Sequence, residues 1–290
     1  MQRSFGFSDK VFNFFNYVIF IIIGILMLYP LWFVLMFSFS NPKAAKMNNF
    51  YLLPTQFNLD SYRFVLSRDL IYTGYLNTIF VTVIGTILCL TVLSFAAYPL
   101  SRIRLRGKKF FLLFFLFTMY FSGGMVPTYM VIRQLGLIDS LWALILPRVV
   151  SIYFMLIIIR FFQAIPDSLI ESAKLDGCND IMVLFRIVLP TSTSVLAAIG
   201  LFSAVSFWNE YLIGVMYINS MEKSPIQVIL YQMLRETIMP ANLGGFEQSG
   251  MTPESVKMSL VIVALMPIIM IYPFLQKHFM SGVMLGAVKG

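Results

Sequence analysis

Charged residues are scarce in this chain. Asp, Glu, Lys and Arg make up 12% of its 290 residues, whereas an ordinary soluble domain contains roughly 25%. Hydrophobic residues make up 59%, and the mean hydropathy is +0.84. A monomer this apolar would expose far more hydrophobic surface than soluble proteins do. The scarcity of charge therefore argues against a soluble protein and indicates an integral membrane protein.

Residues for metal, redox and nucleotide chemistry are also few. The sequence has two cysteines, Cys89 and Cys178, and a single histidine, His278, so it offers neither a disulfide framework nor a metal-ligand spacing. The Gly-Lys pair at 107–108 is preceded by Arg102 where a phosphate-binding loop needs glycine. We therefore predict a non-enzymatic chain that holds no cofactor of its own.

Long apolar runs divide the sequence. A helix needs about 20 apolar residues to cross a bilayer, and the runs predict an all-α membrane protein of six transmembrane helices within one domain over 1–290. The first run is too long, and lacks the cleavage pattern, for a secretory signal, so we interpret it as a retained span. The predicted spans are residues 11–39, 72–99, 110–132, 141–162, 191–218 and 257–276.

Basic residues predict the orientation of these spans. Segment 101–109 contains five basic residues and no acid, and such short loops face the cytoplasm. Both termini and segment 163–190 are then also cytoplasmic, and the longest external segment is 219–256. Within the latter, Pro225 to Glu236 has helical periodicity, which is compatible with a short surface helix or with an ordinary solvated connection.

Segment 163–190 has the pattern of a short helix, a turn and a second short helix. Pro166 suits a first helical turn, and Asp167 places a negative charge near the positive helix N-terminus. Gly177 can adopt the left-handed conformation that ends a helix. Asn179 or Asp180 can cap the helix that follows.

The first of these helices is predicted to be amphipathic. Leu169, Ile170 and Ala173 share one face, and the charged residues Glu171 and Lys174 point elsewhere. This surface suits docking into a partner. Packing on the membrane surface or on the chain's own bundle would produce the same periodicity, so both interpretations stay open.

Two ionisable residues fall within predicted spans, where charge is costly and often functional. Arg148 and Glu210 lie at similar depth and can pair with each other. One interpretation is a translocation cavity lined by this pair together with Trp208, Asn209 and Tyr153, since aromatic, amide and carboxylate groups bind sugars. The alternative is a structural ion pair that joins helices.

One motif in segment 163–190 resembles a known family. Glu171-Ser-Ala-x-x-Asp176-Gly177-Cys178, with Ile187-x-Leu-Pro190 beginning nine positions after Cys178, is similar to the EAA loop of ABC importer permeases. Ser172 and Cys178 replace alanines that are common in that family. Both replacements are small, so close helix packing should survive.

Further motifs extend the resemblance over nearly the whole chain, to carbohydrate-uptake permeases of the maltose-permease type. Tyr120-Phe-Ser-Gly-Gly-Met-Val-Pro-Thr and Tyr272-Pro-Phe-Leu-Gln-Lys are most similar to permeases of complex oligosaccharide uptake. The other shared motifs are Asn58-Leu-Asp-Ser-Tyr62, Ala96-Ala-Tyr-Pro-Leu-Ser-Arg102, the run from Leu135 to Pro147, Trp208-Asn-Glu-Tyr and Gly286-Ala-Val-Lys-Gly290.

The resemblance implies a type I ABC importer permease in a bacterial cell membrane. Its partners would be a second, related permease, two ATPase subunits that bind ATP and Mg²⁺, an external solute-binding protein and a sugar. The cytoplasmic coupling helix would contact the ATPase, and the tail residues Lys289 and Gly290 would reach its interface. The coupling residues would be Glu171, Ser172, Ala173, Asp176 and Gly177.

A self-sufficient secondary transporter is the competing function. Such a protein should contain inverted repeats with paired broken helices and often an ion site at the midplane. The sequence shows no such repeat, and Glu210 is the one carboxylate clearly inside a predicted span. We therefore favour the importer permease.

Overall fold

The computed structural model describes residues 7–41, 52–102, 105–235 and 252–287, with side chains from residue 11 to residue 270. These ranges are mainly helical. Within them, β-pairing is limited to one isolated antiparallel bridge between Ser40 and Phe57. The helices are α1 (Phe7–Ser38), α2 (Asp60–Leu66), α3 (Asp69–Ser101), α4 (Lys108–Tyr120), α5 (Met125–Gln134), α6 (Trp142–Arg148), α7 (Ile152–Gln163), α8 (Asp167–Leu175), α9 (Asp180–Thr191), α10 (Thr193–Trp208), α11 (Leu212–Tyr217), α12 (Ile226–Leu234) and α13 (Pro253–Ala287).

Three apolar stretches of these helices are long enough to cross a membrane, at Val11–Ser38, Asp69–Ser101 and Pro253–Met270. Three further candidates are bent helix pairs. The pair α4 and α5 is bent by 108°, α6 and α7 by 52°, and α9 and α10 by 81°. The total reaches six if each bent pair is one span. Within three of the predicted spans, 110–132, 141–162 and 191–218, the helix is interrupted at residues 121–124, 149–151 and 209–211. The count of six spans stays a prediction.

Local sequence explains the breaks. Gly124 has φ 88° and ψ −178°, a conformation available essentially to glycine alone, so the chain turns sharply between α4 and α5. Pro147 lies in the short 3₁₀ turn that ends α6. A run of apolar residues predicts burial in lipid, but it does not reveal where a glycine or a proline interrupts the helix.

The contacts of the chain divide it into two units, formed by residues 1–68 with 232–265 and by residues 69–231 with 266–290. In the first unit, the ring of Phe39 stacks on those of Phe57 and Tyr62 at 5.5 and 5.0 Å. Ser61 donates a hydrogen bond to Ser255 at 3.1 Å. The prediction of one domain over 1–290 stays a prediction.

The second unit is built around α3, which packs mainly against α7 and α10. Small residues on these helices allow the backbones to approach closely, as is typical of membrane helix packing. A Cβ atom on Gly85 of α3 would lie 2.8 Å from the Phe207 ring on α10, and one on Gly200 of α10 would lie 3.2 Å from Leu90. The core between them contains fully buried Cys89 and Leu93.

Of the two interpretations of Pro225–Glu236, a short surface helix or a solvated connection, the structure has a helix, α12, but this helix does not lie on the surface. Ile226, Val228 and Ile229 are fully buried. Their neighbours are glycines: a Cβ on Gly214 would overlap Val228, and a Cβ on Gly74 would lie 2.6 Å from Ile229. The periodicity predicted the helix correctly, whereas its burial depends on glycines more than ten residues away in the sequence.

Candidate functional site

Segment 163–190 folds as a helix, a turn and a second helix, as predicted. Helix α8 begins directly after Pro166, which therefore precedes the first turn instead of lying in it. Gly177 ends this helix with a φ of +87°. The Oδ1 atom of Asn179 then accepts a 2.8 Å hydrogen bond from the backbone N–H of Met182 and caps α9.

Helix α8 divides its apolar residues between two surfaces. Ile170 and Ala173 are buried against the bundle, which agrees with the interpretation that this face packs on the chain's own helices; a role of Ala173 in coupling stays a prediction. Leu169 is 45% exposed and Leu175 is 89% exposed. Sequence analysis missed Leu175, although a leucine on the polar side of the helix was a signal. The other predicted coupling residues are exposed, namely Glu171, Ser172, Asp176 and Gly177.

Both ends of α8 are attached to the end of α3. Arg102 Nη1 lies 3.3 Å from Asp167 Oδ1 at the start of α8. At the other end, Lys174 Nζ lies 2.7 Å from Asp180 Oδ1, and the Tyr98 hydroxyl donates to the same carboxylate at 3.4 Å. A cavity of about 500 Å³ lies between these groups. The sequence placed Arg102 in a basic loop, and gave no indication of these partners.

The two charges within predicted spans form an ion pair. Arg148 Nη1 lies 3.0 Å from Glu210 Oε2, and the two side chains are 20% and 18% exposed. Arg148 Nη2 also donates to Ser206, to Oγ at 2.6 Å and to the carbonyl oxygen at 3.1 Å, and the guanidinium lies 5.0 Å from the Phe207 ring centre. Glu210 Oε1 accepts from the N–H of Ile213 at 2.9 Å. Each charge thus has several partners within the chain.

Among the described residues, no hydrogen bond, ion pair or ring contact joins the other predicted cavity residues to this pair. Trp208 is buried, and its ring centre lies 6.4 Å from that of Tyr75. Its Nε1 has no hydrogen-bond partner among the residues that the structure describes. Asn209 is exposed. Tyr153 is 61% exposed, and its ring contacts Phe154.

Asp139, in the segment between α5 and α6, forms hydrogen bonds and an ion pair with the residues that follow α11. Its carboxylate accepts hydrogen bonds from Ser220 Oγ at 2.6 Å, from the N–H groups of Ser220 and Asn219 at 2.8 and 2.9 Å, and from Lys223 Nζ at 3.0 Å. These donors, the Ser220 hydroxyl above all, hold the pKa of Asp139 well below its ordinary value. Asp139 itself has a φ of 61°, which aspartate tolerates better than most residues.

Metal-binding residues do not cluster within the described ranges: no three His, Cys, Asp or Glu side chains there could share an ion. The predicted tail contacts Lys289 and Gly290 lie outside the described residues.

Known proteins resemble this chain over most of its length. Residues 105–284 match the family model described as "Binding-protein-dependent transport system inner membrane component". The chain is 42% identical over 285 residues to the polygalacturonan/rhamnogalacturonan transport system permease protein YtcP of Bacillus subtilis (strain 168), covering 98% of this chain and 100% of that protein. It is 38% identical to protein LplC of the same organism, over 98% of this chain and 96% of the relative.

A solved structure has the same fold. One chain of the crystal structure of a bacterial ABC transporter involved in the import of the acidic polysaccharide alginate superposes with a TM-score of 0.91 at 30% identity. The match covers 96% of this chain and 100% of the other. The apolar helices and these similarities indicate a multi-pass protein of the cell membrane. This chain belongs to the family of inner membrane components, or permeases, of binding-protein-dependent ABC transport systems.

Proposed function

We propose that this chain is a permease subunit of an ATP-driven importer for oligosaccharides. The observation that carries the proposal is the 42% identity over 98% of the chain to a permease named for polygalacturonan and rhamnogalacturonan transport. An external binding protein would deliver the sugar. ATP and Mg²⁺ would bind to separate ATPase subunits, and a second, related permease would complete the pore.

The topology in this proposal has six spans, with each bent helix pair counted as one. Both termini and helix α8 then face the cytoplasm, because segment 101–109 is rich in basic residues. Asp139 and the chain that it holds would lie on the external side, where the binding protein docks.

Helix α8 would be the coupling helix. Its solvent side combines Leu169 and Leu175 with Ser172 and Asp176, a mixed surface that suits a cleft in a cytoplasmic protein. Leu175 is the strongest candidate contact, because an isolated leucine that is 89% exposed gains most from burial in a partner. A rigid helix in a socket can turn rotation of the ATPase into tilting of the spans.

The test uses the complex isolated from its native membrane through a tag on this chain and reconstituted in lipid. We expect ATP hydrolysis that rises when binding protein and oligosaccharides from a polygalacturonan digest are added. Uptake by the purified chain alone, driven by an ion gradient, would instead support a secondary transporter.

Variants of α8 test the coupling surface in the same preparation. Leu175→Asp should release the ATPase subunits from the complex, since it removes the apolar contact and adds a charge. Leu135→Asp is the control for release of the ATPase subunits, because Leu135 is 64% exposed at the end of α5, on the external side in the proposed topology. Normal assembly and stimulation in Leu175→Asp, or equal release of the ATPase subunits in both variants, would refute the assignment of α8.

A further inference from the structure

We infer that Arg102 is a positioning residue that joins the proposed coupling helix α8 to the long span α3, so that both move as one body. The inference rests on the proposed function of α8 and adds the path by which its movement reaches the membrane. Arg102 directly follows the last residue of α3. It lies at the point where α3, α7 and α8 meet.

The guanidinium group of Arg102 contacts all three helices. Nη1 lies 3.3 Å from Asp167 Oδ1, in the first turn of α8. Nη2 donates a 3.0 Å hydrogen bond to the carbonyl of Phe162, in the last turn of α7. The same group lies 5.3 Å from the ring centre of Tyr98 on α3. Only a planar group with several donors can make these contacts at once, which distinguishes arginine from lysine.

A second connection holds the other end of α8. Asp180 accepts from Lys174, in the last turn of α8, and from the hydroxyl of Tyr98. Tyr98 and Arg102 are four residues apart, so they lie on the same side of the end of α3. Because α8 is tied at both ends to one side of α3, a force on α8 moves the end of α3 instead of tilting α8 alone.

Helix α3 carries this movement to the other side of the bundle. It is 33 residues long, and its proline, Pro99, lies in its last turn. From Asn77, in its third turn, to Arg102 the chain rises by about 38 Å. Asn77 Nδ2 donates to the carbonyls of Glu222 and Ser224 at 2.8 and 3.4 Å. Thr78 Oγ1 accepts from the N–H of Ile226 at 2.8 Å. One helix therefore contacts α8 at its last turn and the segment that leads into α12 at its third turn.

The exposure of the Asp167 side chain allows the positioning role to be tested separately from folding. Asp167 is 61% exposed, whereas Arg102 is 16% exposed. Ion pairs with an exposed partner contribute little to stability, so Asp167→Asn should leave folding and assembly unchanged. Arg102→Lys keeps the charge but cannot maintain the contacts to Asp167 and Phe162 together.

The experiment measures oligosaccharide transported per ATP hydrolysed by the reconstituted native complex. We expect Arg102→Lys and Asp167→Asn each to lower this ratio by about fivefold or more, the usual size of a coupling effect. The double variant should lose no more than the worse single variant, because both changes break one connection. Arg160→Gln, which removes an exposed charge from the last turn of α7, should keep the normal ratio.

The outcomes are distinguishable. A wild-type complex whose hydrolysis does not respond to any oligosaccharide would refute the proposed function itself. A responsive wild type with normal ratios in both single variants would overturn the role of Arg102 alone, as would an equal loss in Arg160→Gln. If Arg102→Lys fails to assemble, Asp167→Asn decides the question by itself.

Discussion

The ion pair between Arg148 and Glu210 allows a direct test of whether these charges hold the fold or bind substrate. We consider Arg148→Gln and Glu210→Gln, singly and together. Each single change leaves one charge without its partner, and breaking a fully buried pair in this way costs about 3–5 kcal/mol. About a fifth of each side chain is exposed, so we expect a lower cost, about 2–3 kcal/mol per single variant.

The double variant should recover most of that loss. Removing both charges eliminates the unpaired ion, and replacing a buried pair by neutral groups is often close to neutral. Gln at position 210 also keeps an oxygen that can accept from the N–H of Ile213. Glu210→Ala loses this acceptor and should cost about 1 kcal/mol more than Glu210→Gln.

The assay is the unfolding free energy of each purified variant in mild detergent, followed by uptake in the reconstituted complex. A structural pair predicts that Arg148→Gln/Glu210→Gln is more stable than either single variant and retains transport. A double variant destabilised by the sum of the two single effects would refute this reasoning. A stable double variant without transport would instead favour a role for the charges in the pathway.

Three further predictions concern single positions. Gly177→Val should destabilise α8 by about 1–2 kcal/mol, because a β-branched residue is strained at a φ of +87°, and hydrogen exchange of α8 would report it. Gly214→Ala should lower the thermal unfolding midpoint, because the new methyl overlaps Val228, at a cost of about 1–3 kcal/mol for overpacking; Gly24→Ala, with open space around it, should not. Asp139→Asn should lower the midpoint at pH 7. Since the pKa of Asp139 is lowered from its ordinary 3.8, the difference from the wild type should hold down to about pH 5 and shrink as the pH falls below 3.8; a difference that grows with acid would contradict this.

Much of the fold was predictable because it depends on local properties of the chain. Hydropathy located the apolar helices, and Gly177 predicted where α8 ends. The sequence left Asn179 and Asp180 as candidate caps of α9, and the structure has Asn179. The pairing of Arg148 with Glu210 was also predicted, from their similar depth in two spans. Each of these inferences uses a run of neighbouring residues, or the strong preference of buried charges for a partner.

The sequence by itself determined that this is an α-helical membrane protein with a helix–turn–helix segment at 163–190, because residue composition and spacing act within a few turns of helix. The tertiary structure alone decided which side of α8 is exposed, that α12 is buried, and that Arg102 joins three helices. These features depend on contacts between residues far apart in the chain, such as Gly214 with Val228 and Tyr98 with Asp180. Periodicity shows that a helix has an apolar and a polar face. Only the neighbouring helices determine which of its residues are buried.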